Sequence, residues 1–258
     1  MSSVLSETIG QVRKLTLNRP DKFNSFNREM ALSLQQELDQ AAADKSIRAI
    51  LLTGEGKAFC AGQDLGEAVD SSGPGIERIV REHYNPIIHK IRIIEKPVVC
   101  AVNGVAAGAG ANIALACDVV IAADTASFIQ AFSKIGLIPD SGGTFFLPRL
   151  VGFGMASALM MLGDKVMAAQ ALQMGMIYKV SSTDTLQTEA LALAKTLSEL
   201  PTKGLGLTKR LLNQSAFSPL ADQLEAERKE QVAAASSYDY KEGVSAFLEK
   251  RKPLFKGE

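Results

Sequence analysis

The sequence has little of several residue types on which common functions depend. Its 258 residues include two histidines, three cysteines and no tryptophan, and 28 basic side chains balance 28 acidic ones. A formal net charge of zero argues against a nucleic-acid-binding protein whose affinity depends on a basic surface. We therefore expect no nucleic-acid partner.

The cysteines and histidines form no recognisable metal or catalytic site. Cys60, Cys100 and Cys117 are an odd number without CxxC spacing, so they are expected to be buried thiols in a reducing compartment. His83 and His89 lack the carboxylate or serine context of a catalytic triad, and we expect them to be packing or surface residues. The sequence predicts no metal site.

No segment of the sequence predicts export or membrane insertion. The first 20 residues lack the basic, apolar and cleavage regions of a signal peptide. The uncharged stretch 97–117 is interrupted by glycine and asparagine, so it is expected to form a buried strand, a loop and a buried helix. These features predict a cytoplasmic protein without a membrane partner.

The pattern of apolar residues predicts an α/β fold. Strands are expected at residues 12–18, 48–54, 96–104 and 119–128, and helices at 27–44, at 75–95 with a bend at Pro86, and from 108 onwards. Strands and helices that alternate at this spacing indicate βαβ units with a parallel sheet covered by helices. Beyond Val151 the composition favours helix, apart from a strand-like stretch at 176–182.

Two loops that follow apolar strands contain glycine, at residues 57–65 and 103–112. Such loops let a carbonyl group approach backbone N–H groups closely, and N–H groups at the start of a helix have no helical partner. Two converging N–H groups would form an oxyanion hole. The alternative is that the glycines only permit close packing of helix on sheet.

The second loop does not complete a dinucleotide-binding motif. Gly108 and Gly110 supply two glycines of GxGxxG, but Ile113 occupies the third position. We therefore expect neither NAD nor FAD to bind.

One carboxylate precedes an apolar segment in the stretch KIGLIPDSGGTFFLPRL, residues 134–150. The residues from Pro139 to Gly142 have the composition of a turn and of a helix N-cap. An acid in an apolar pocket instead has a raised proton affinity and can transfer protons near neutral pH. The residues alone leave both interpretations of Asp140 open.

The chain resembles the crotonase family of enoyl-CoA hydratases and isomerases. The similarity runs through LNRPDKFNSF (17–26), GKAFCAGQDL (56–65) and the segments 96–124, 132–152 and 242–257. It implies a crotonase-like ββα superhelix core over residues 1–195 and a helical C-terminal trimerisation region over 196–258. It also implies an acyl-CoA substrate, a homotrimer or dimer of trimers, and no separate cofactor, since coenzyme A is part of the substrate.

The resemblance also assigns the site residues. Asp140 is the expected catalytic residue, and the backbone N–H groups of Gln63 and Ala109 are the expected oxyanion hole. The substrate pocket is expected to contain Ala61, Asp64, Leu65, Asn112, Phe132 and Ile138. Contacts with coenzyme A are expected from Lys22, Phe23, Asn24 and Lys250.

Departures from the family pattern indicate which reaction to expect. Hydratases of the family use two glutamates at positions where this sequence has Asn112 and Phe132, and neither side chain transfers a proton. Asp140 stands where certain isomerases of the family carry their catalytic aspartate.

The string AFSKIGLIPDSGGTFFLPRLVG is similar to members that convert the ring 1,2-epoxide of phenylacetyl-CoA to an oxepin. These members are also linked to moving a 3,4 double bond to the 2,3 position in a later intermediate. The alternatives are a general Δ3–Δ2-enoyl-CoA isomerase, an enoyl-CoA hydratase, and a non-catalytic relative that binds acyl-CoA or RNA.

Overall fold

The computed structural model describes residues 2–258, which form ten strands and twelve α-helices. The strands are β1 (Val4–Ile9), β2 (Val12–Leu17), β3 (Ala49–Gly54), β4 (Ala58–Cys60), β5 (Val98–Val102), β6 (Val105–Ala107), β7 (Val119–Ala123), β8 (Ser127–Ile129), β9 (Lys165–Met167) and β10 (Lys179–Ser181). The helices are α1 (Arg28–Ala43), α2 (Leu65–Val69), α3 (Gly75–Arg78), α4 (Asn85–Ile93), α5 (Ala109–Leu115), α6 (Gly143–Val151), α7 (Phe153–Leu162), α8 (Ala168–Gln173), α9 (Leu186–Glu199), α10 (Thr202–Ser215), α11 (Leu220–Ala235) and α12 (Tyr238–Glu249). Short 3-10 turns occur at Pro20–Lys22 and Ala131–Ile135, and a π-helical turn occurs at Ile79–Tyr84.

The strands form two sheets rather than the one parallel sheet that the sequence predicted. The first has the order β1-β2-β3-β5-β7-β10, with only β1 antiparallel to its neighbour, and the second has the order β4-β6-β8-β9. After each of β3, β5 and β7 the chain turns, adds a short strand to the second sheet and continues into a helical segment. This repeated strand–strand–helix unit is the expected ββα superhelix.

The segment 119–128, predicted as one strand, forms two strands because the chain passes from the first sheet to the second within it. The N–H group of Ala126 donates to the carbonyl of Ala123 at 2.9 Å and closes a turn between β7 and β8. The chain therefore leaves the first sheet and enters the second.

The core lies around the central strands of the first sheet. Every residue of β3 and β5 is buried, as expected for strands of a parallel sheet that is covered on both faces. Helix α9 packs against both strands. Helix α1 begins as predicted, because the Asn27 side chain accepts a hydrogen bond from the Met30 N–H at 3.0 Å.

The predicted bend of the helix before β5 lies ahead of Pro86 rather than at it. Proline has no N–H, so the Glu82 carbonyl lacks its helical donor. The Gln35 Nε2 donates to that carbonyl at 2.8 Å, and the Asn85 N–H bonds the carbonyl of Val80, five residues back. The helix therefore contains a π turn between α3 and α4.

The C-terminal helices are tied to the core through Arg48, just before β3. This buried guanidinium donates to the Thr202 hydroxyl at 2.8 Å and to the carbonyls of Phe255 at 2.8 Å and Leu200 at 2.6 Å. The start of α10 and the segment after α12 thus contact the core of their own chain. The division near residue 195 into a core and an oligomerisation region stays a prediction.

In the part of the chain that the structure describes, no helix has the length and apolar character needed to cross a bilayer. The uncharged stretch 97–117 contains β5, β6 and α5. The predicted buried strand and buried helix are confirmed, whereas the predicted loop contains the short strand β6.

Candidate active site

The two glycine-containing loops lie side by side because they follow neighbouring strands. β4 and β6 pair in parallel, so their carboxyl ends meet at one edge of the second sheet. A Cβ atom placed on Gly62 would lie 3.6 Å from the Ala109 nitrogen, which shows how closely the first loop approaches the second. The structure therefore brings together Gln63 and Ala109, the two predicted donors.

The Gln63 N–H points away from the chain segment that contains Phe26. The Phe26 N–H donates to the Gly62 carbonyl at 2.7 Å, and the Phe26 carbonyl accepts the Asp64 N–H at 2.8 Å. In a trans peptide the N–H is opposite to the carbonyl, so the Gln63 N–H faces away from Phe26. This orientation requires Gly62, whose φ of 94° is one that other residues rarely adopt.

The Ala109 N–H is the first of helix α5 and has no partner within the helix. Gly108, with a φ of 52°, precedes it, and the Gly108 carbonyl accepts the Asn112 N–H at 3.2 Å. Within residues 2–258, no protein acceptor pairs with the N–H of Gln63 or Ala109. Two such donors at one place are suited to an oxygen atom that gains negative charge.

A cavity of about 230 Å³ lies beside these donors. Its wall is mostly apolar and includes Leu65, Ala68, Ile76, Ile79, Val80, Phe132, Ile135 and Leu137. An apolar cavity of about 150 Å³ is known to bind benzene, so the volume here suffices for a substituted six-membered ring. The polar side chains on the wall belong to Gln63, Tyr84, Lys134 and Asp140.

Asp140 combines the two roles that the sequence left open, a turn residue and a cavity residue. Its carbonyl accepts the Gly143 N–H at 2.8 Å. Ser141 and Gly142 between them have φ values of 51° and 73°, the signature of a type I′ turn. The turn places the Asp140 carboxyl on the cavity wall.

The environment of Asp140 makes its carboxyl easier to protonate than an exposed aspartate. Burial raises the pKa of the Asp140 carboxyl above its ordinary value, although the Ser141 hydroxyl, which donates to Oδ1 at 2.8 Å, acts in the opposite direction. A carboxyl with raised proton affinity is suited to accept a proton from carbon and to return it.

Asn112 is a buried residue that holds the backbone of Asp140 in place. It is fully buried, and its Nδ2 donates to the Asp140 carbonyl at 2.8 Å. Its Oδ1 accepts a hydrogen bond from the Gln130 Nε2 at 2.7 Å. This pair of amides fixes the turn that carries the carboxyl.

Six of the predicted catalytic, oxyanion-hole and pocket residues line the cavity: Ala61, Gln63, Leu65, Ala109, Phe132 and Asp140. Asp64, Asn112 and Ile138 are not among the residues that line it, and their role in the substrate pocket stays a prediction. The Asp64 carboxylate binds Arg19 at 2.9 Å, which holds the pKa of Asp64 below its ordinary value. Asn112 is directed at a backbone carbonyl, and the Ile138 side chain is exposed.

Lys22 and Phe23, two predicted contacts of coenzyme A, are exposed beside the first glycine loop. The Phe23 carbonyl accepts the Ala61 N–H at 2.9 Å, which joins the 3-10 turn to the residues that line the cavity. Both side chains are therefore placed at the border of the site. Their role in binding stays a prediction.

The other two predicted contacts are placed differently. Asn24 is fully buried, and its Nδ2 donates to the carbonyls of Glu55 and Ala58 at 2.8 Å each. Its side chain therefore shapes the loop, and its role in binding coenzyme A stays a prediction. Lys250 ends helix α12 and is not among the residues of the cavity wall.

Sequence reasoning missed Tyr84 and Lys134, which also line the cavity. The Tyr84 hydroxyl donates to the Gln63 Oε1 at 2.7 Å, and burial raises the pKa of Tyr84 well above its ordinary value. The one available signal was a tyrosine within a predicted helix that mixes apolar and charged residues. The π turn that carries Tyr84 has no simple signature in the sequence.

Comparison with known proteins adds independent findings. The family model described as Enoyl-CoA hydratase/isomerase matches residues 7–258. The chain is 49% identical to a 1,2-epoxyphenylacetyl-CoA isomerase of Escherichia coli, with all of both chains covered. It is 43% identical to a probable enoyl-CoA hydratase of Rhodobacter capsulatus, over 94% of this chain and 93% of the relative.

A solved structure is similarly close. The crystal structure of a putative enoyl-CoA hydratase/isomerase from Mycobacterium abscessus superposes with a TM-score of 0.94 at 38% identity. The match covers 99% of this chain and 100% of the other.

Proposed function

The chain belongs to the enoyl-CoA hydratase/isomerase family, and from this premise we propose that it isomerises ring-1,2-epoxyphenylacetyl-CoA to its oxepin isomer. The whole-length identity of 49% to an isomerase of that name supports this substrate. The crotonase-like fold expected from the sequence is confirmed by the family match and the solved relatives. We also propose that the same site shifts a 3,4 double bond of an acyl-CoA to the 2,3 position.

The observation that carries the proposal is a single carboxylate beside two unpaired N–H groups. Of the residues described, Asp140 is the one acid on the cavity wall. Hydration of a double bond would require water to be activated as well as a carbon to be protonated, whereas an isomerisation moves one proton. One carboxylate that serves as base and then as acid is sufficient for that task.

In the proposed double-bond shift, the thioester oxygen accepts hydrogen bonds from Gln63 and Ala109. The Asp140 carboxylate takes a proton from the carbon next to the thioester, and the electron pair of that C–H bond passes into a dienolate. The two N–H donors stabilise the negative charge on oxygen. Protonated Asp140 then returns the proton two carbons further along the chain, so no atom is gained or lost.

Conversion of the epoxide to the oxepin is likewise an isomerisation. The cavity has room for a six-membered ring, and its apolar wall excludes water from the reactive epoxide. Phe132 contributes to this wall at a position where hydratases have a glutamate. Coenzyme A belongs to the substrate, and the scheme uses no separate cofactor.

We further propose a homotrimer or dimer of trimers in the cytoplasm. Large apolar side chains are exposed on α7 and α12, among them Phe153, Met161 and Phe247, and such residues favour association. The three cysteines are buried and free, which suits a reducing compartment.

A 3-enoyl-CoA provides the first test. We expect the absorbance of the conjugated 2-enoyl thioester to rise and persist with the wild-type protein, and not with Asp140→Ala. A rise that then decays would indicate hydration, and would contradict a pure isomerase.

The ring epoxide distinguishes the remaining alternatives. Turnover of the epoxide at a higher kcat/KM than the aliphatic 3-enoyl-CoA is expected. The opposite preference would indicate a general Δ3–Δ2-enoyl-CoA isomerase. Binding of both thioesters without turnover of either would indicate a non-catalytic acyl-CoA-binding relative and refute the proposal.

A further inference from the structure

A chain of hydrogen bonds runs outwards from the cavity through the side chain of Gln63. The Tyr84 hydroxyl donates to the Gln63 Oε1 at 2.7 Å, and the Gln63 Nε2 donates to the Glu67 Oε2 at 2.9 Å. The proposed reaction uses only the backbone N–H of Gln63. The chain of side chains therefore needs a separate explanation.

The outer end of this chain is fixed to helix α1. The second oxygen of Glu67, Oε1, accepts the Arg28 N–H at 2.9 Å, at the first residue of the helix. A carboxylate is stabilised at that end of a helix. Glu67 is thus held in place and in turn holds the amide of Gln63.

The inner end is equally rigid. Tyr84 is 1% exposed and packs edge-to-face against Phe26, with ring centroids 5.9 Å apart. Its position follows from the π turn, which ends at this residue. The same Phe26 holds the backbone on both sides of Gln63. Tyr84 and Phe26 thus form one packed unit around the donor.

We propose that Tyr84, Gln63 and Glu67 form a clamp that positions the Gln63 N–H for the thioester oxygen, which makes Tyr84 a positioning residue. The reason lies in Gly62, because a glycine before the donor restrains the peptide plane little, so the orientation of that plane depends on hydrogen bonds, of which the Phe26 N–H supplies one to the Gly62 carbonyl. The two hydrogen bonds of the Gln63 terminal amide, with Tyr84 and Glu67, add to this restraint. This inference rests on the proposed function, since it assigns a role within the same oxyanion hole.

Tyr84→Phe removes the hydroxyl and leaves the packed ring. Loss of one oxyanion donor lowers kcat by about 10²–10³-fold in enzymes where it has been measured. In Tyr84→Phe the donor remains but is less well aligned, so we expect kcat to fall by roughly tenfold. KM is expected to change by less than about threefold, because an interaction made mainly in the transition state is lost. Tyr178→Phe, at an exposed tyrosine outside the cavity, is the matched control.

A spectroscopic readout separates positioning from a merely structural role. The infrared carbonyl stretch of phenylacetyl-CoA labelled with ¹³C at the thioester is measured free and bound. We expect binding to wild-type protein or Tyr178→Phe to lower the frequency, and binding to Tyr84→Phe to lower it by a smaller amount. A loss of thermal stability without a change in frequency would overturn the proposal.

A second variant tests the clamp without altering Tyr84. Gln63→Met keeps the backbone N–H and the approximate volume but cannot form either side-chain hydrogen bond. We expect it to reproduce the smaller frequency shift. We expect the double variant with Tyr84→Phe to be no worse than the poorer single variant, because both variants remove the Tyr84–Gln63 hydrogen bond. Additive losses of kcat would contradict a shared clamp.

The outcomes also distinguish this inference from the proposed function. Suppose that wild-type protein turns over thioesters and shifts the carbonyl frequency, and that Tyr84→Phe has the same kcat and the same frequency shift. The clamp is then refuted and the proposed function stands. If the wild-type protein neither turns over a thioester nor shifts its frequency, the proposed function fails and the clamp fails with it.

Discussion

Asp140→Asn is the substitution that most directly separates the chemical role of Asp140 from its role in the turn. Asparagine has nearly the same shape, and its Oδ1 accepts the Ser141 hydroxyl as aspartate does. The hydrogen bonds from Asn112 and Gly143 go to the backbone carbonyl of residue 140, so they survive the change. What is lost is the ability to accept and return a proton.

The expected loss of activity follows from that difference. A positioned acid or base contributes about 10²–10⁴-fold to the rate of an enzyme, which corresponds to about 3–5 kcal/mol of activation free energy. We expect kcat to fall by this factor and KM to change by less than about threefold, because the two N–H donors and the apolar wall are intact. The assay is the rise in absorbance of the conjugated thioester formed from a 3-enoyl-CoA.

The same variant is expected to be more stable than the wild-type protein near neutral pH. Because burial raises the pKa of Asp140 in the folded state, the folded protein binds the proton more tightly than the unfolded chain does. The free energy of unfolding therefore decreases as the pH rises from about 3.9, the value in an unfolded chain, through the raised folded pKa. Asparagine does not titrate, so the gain in stability appears above this range and vanishes below it.

These two results are measured together, by turnover and by urea unfolding at several pH values. In the wild-type protein, kcat/KM is expected to increase with pH through the raised pKa, because the carboxylate is the reacting form. A folded Asp140→Asn protein that keeps more than about a tenth of wild-type activity would refute the catalytic role and leave only the turn. A decrease in stability at neutral pH would refute the assignment of burial as the cause of the raised pKa.

Three further substitutions test the supports of the site. Asn112→Ala removes a donor to the Asp140 carbonyl, and kinetic assays are expected to show a lower kcat with little change in KM. Unfolding assays are expected to show a loss of about 1–3 kcal/mol in the free energy of unfolding, because the buried Gln130 amide is left unsatisfied. Gly110→Ala places a Cβ 2.4 Å from the Cys60 carbonyl oxygen, so it is expected to displace the start of α5 and to lower both thermal stability and turnover; unchanged values would show that the loops are not in close contact. Arg48→Met leaves three acceptors without their donor, and we expect the free energy of unfolding to fall by about 3–5 kcal/mol and the C-terminal helices to be proteolysed faster. Equal proteolysis of the variant and the wild-type protein would contradict the attachment of these helices through Arg48.

Sequence patterns were most informative where local chemistry determines the structure. The turn at Asp140 was predictable because proline, aspartate, serine and glycine favour turns whatever surrounds them. Helix α1 was predictable from its apolar spacing. The second sheet was not, because its strands have three residues each and contain too little alternation to be distinguished from loops.

The site residues likewise differ in whether local chemistry determines their placement. The backbone donors depend on where two strands end, and the resemblance placed them on Gln63 and Ala109. The orientation of side chains depends on partners far away in the sequence. Asp64 turns to Arg19, 45 residues away, and Tyr84 reaches Gln63, 21 residues away, so neither orientation follows from a local pattern.

The two donors at the ends of β4 and β6 are main-chain groups, and this has a consequence for how the protein can evolve. Every residue except proline carries an N–H, so mutations at positions 63 and 109 keep both proposed oxyanion donors, although at position 63 they remove the side-chain bonds proposed to align one of them. The side chains at positions 112, 132 and 140 are not part of these main-chain groups, so a change of side chain there leaves the N–H groups themselves in place. In the proposed mechanism, recognition of the carbonyl and choice of reaction thus depend on different groups, so a lineage can exchange one chemistry for another while it still engages the same class of molecule.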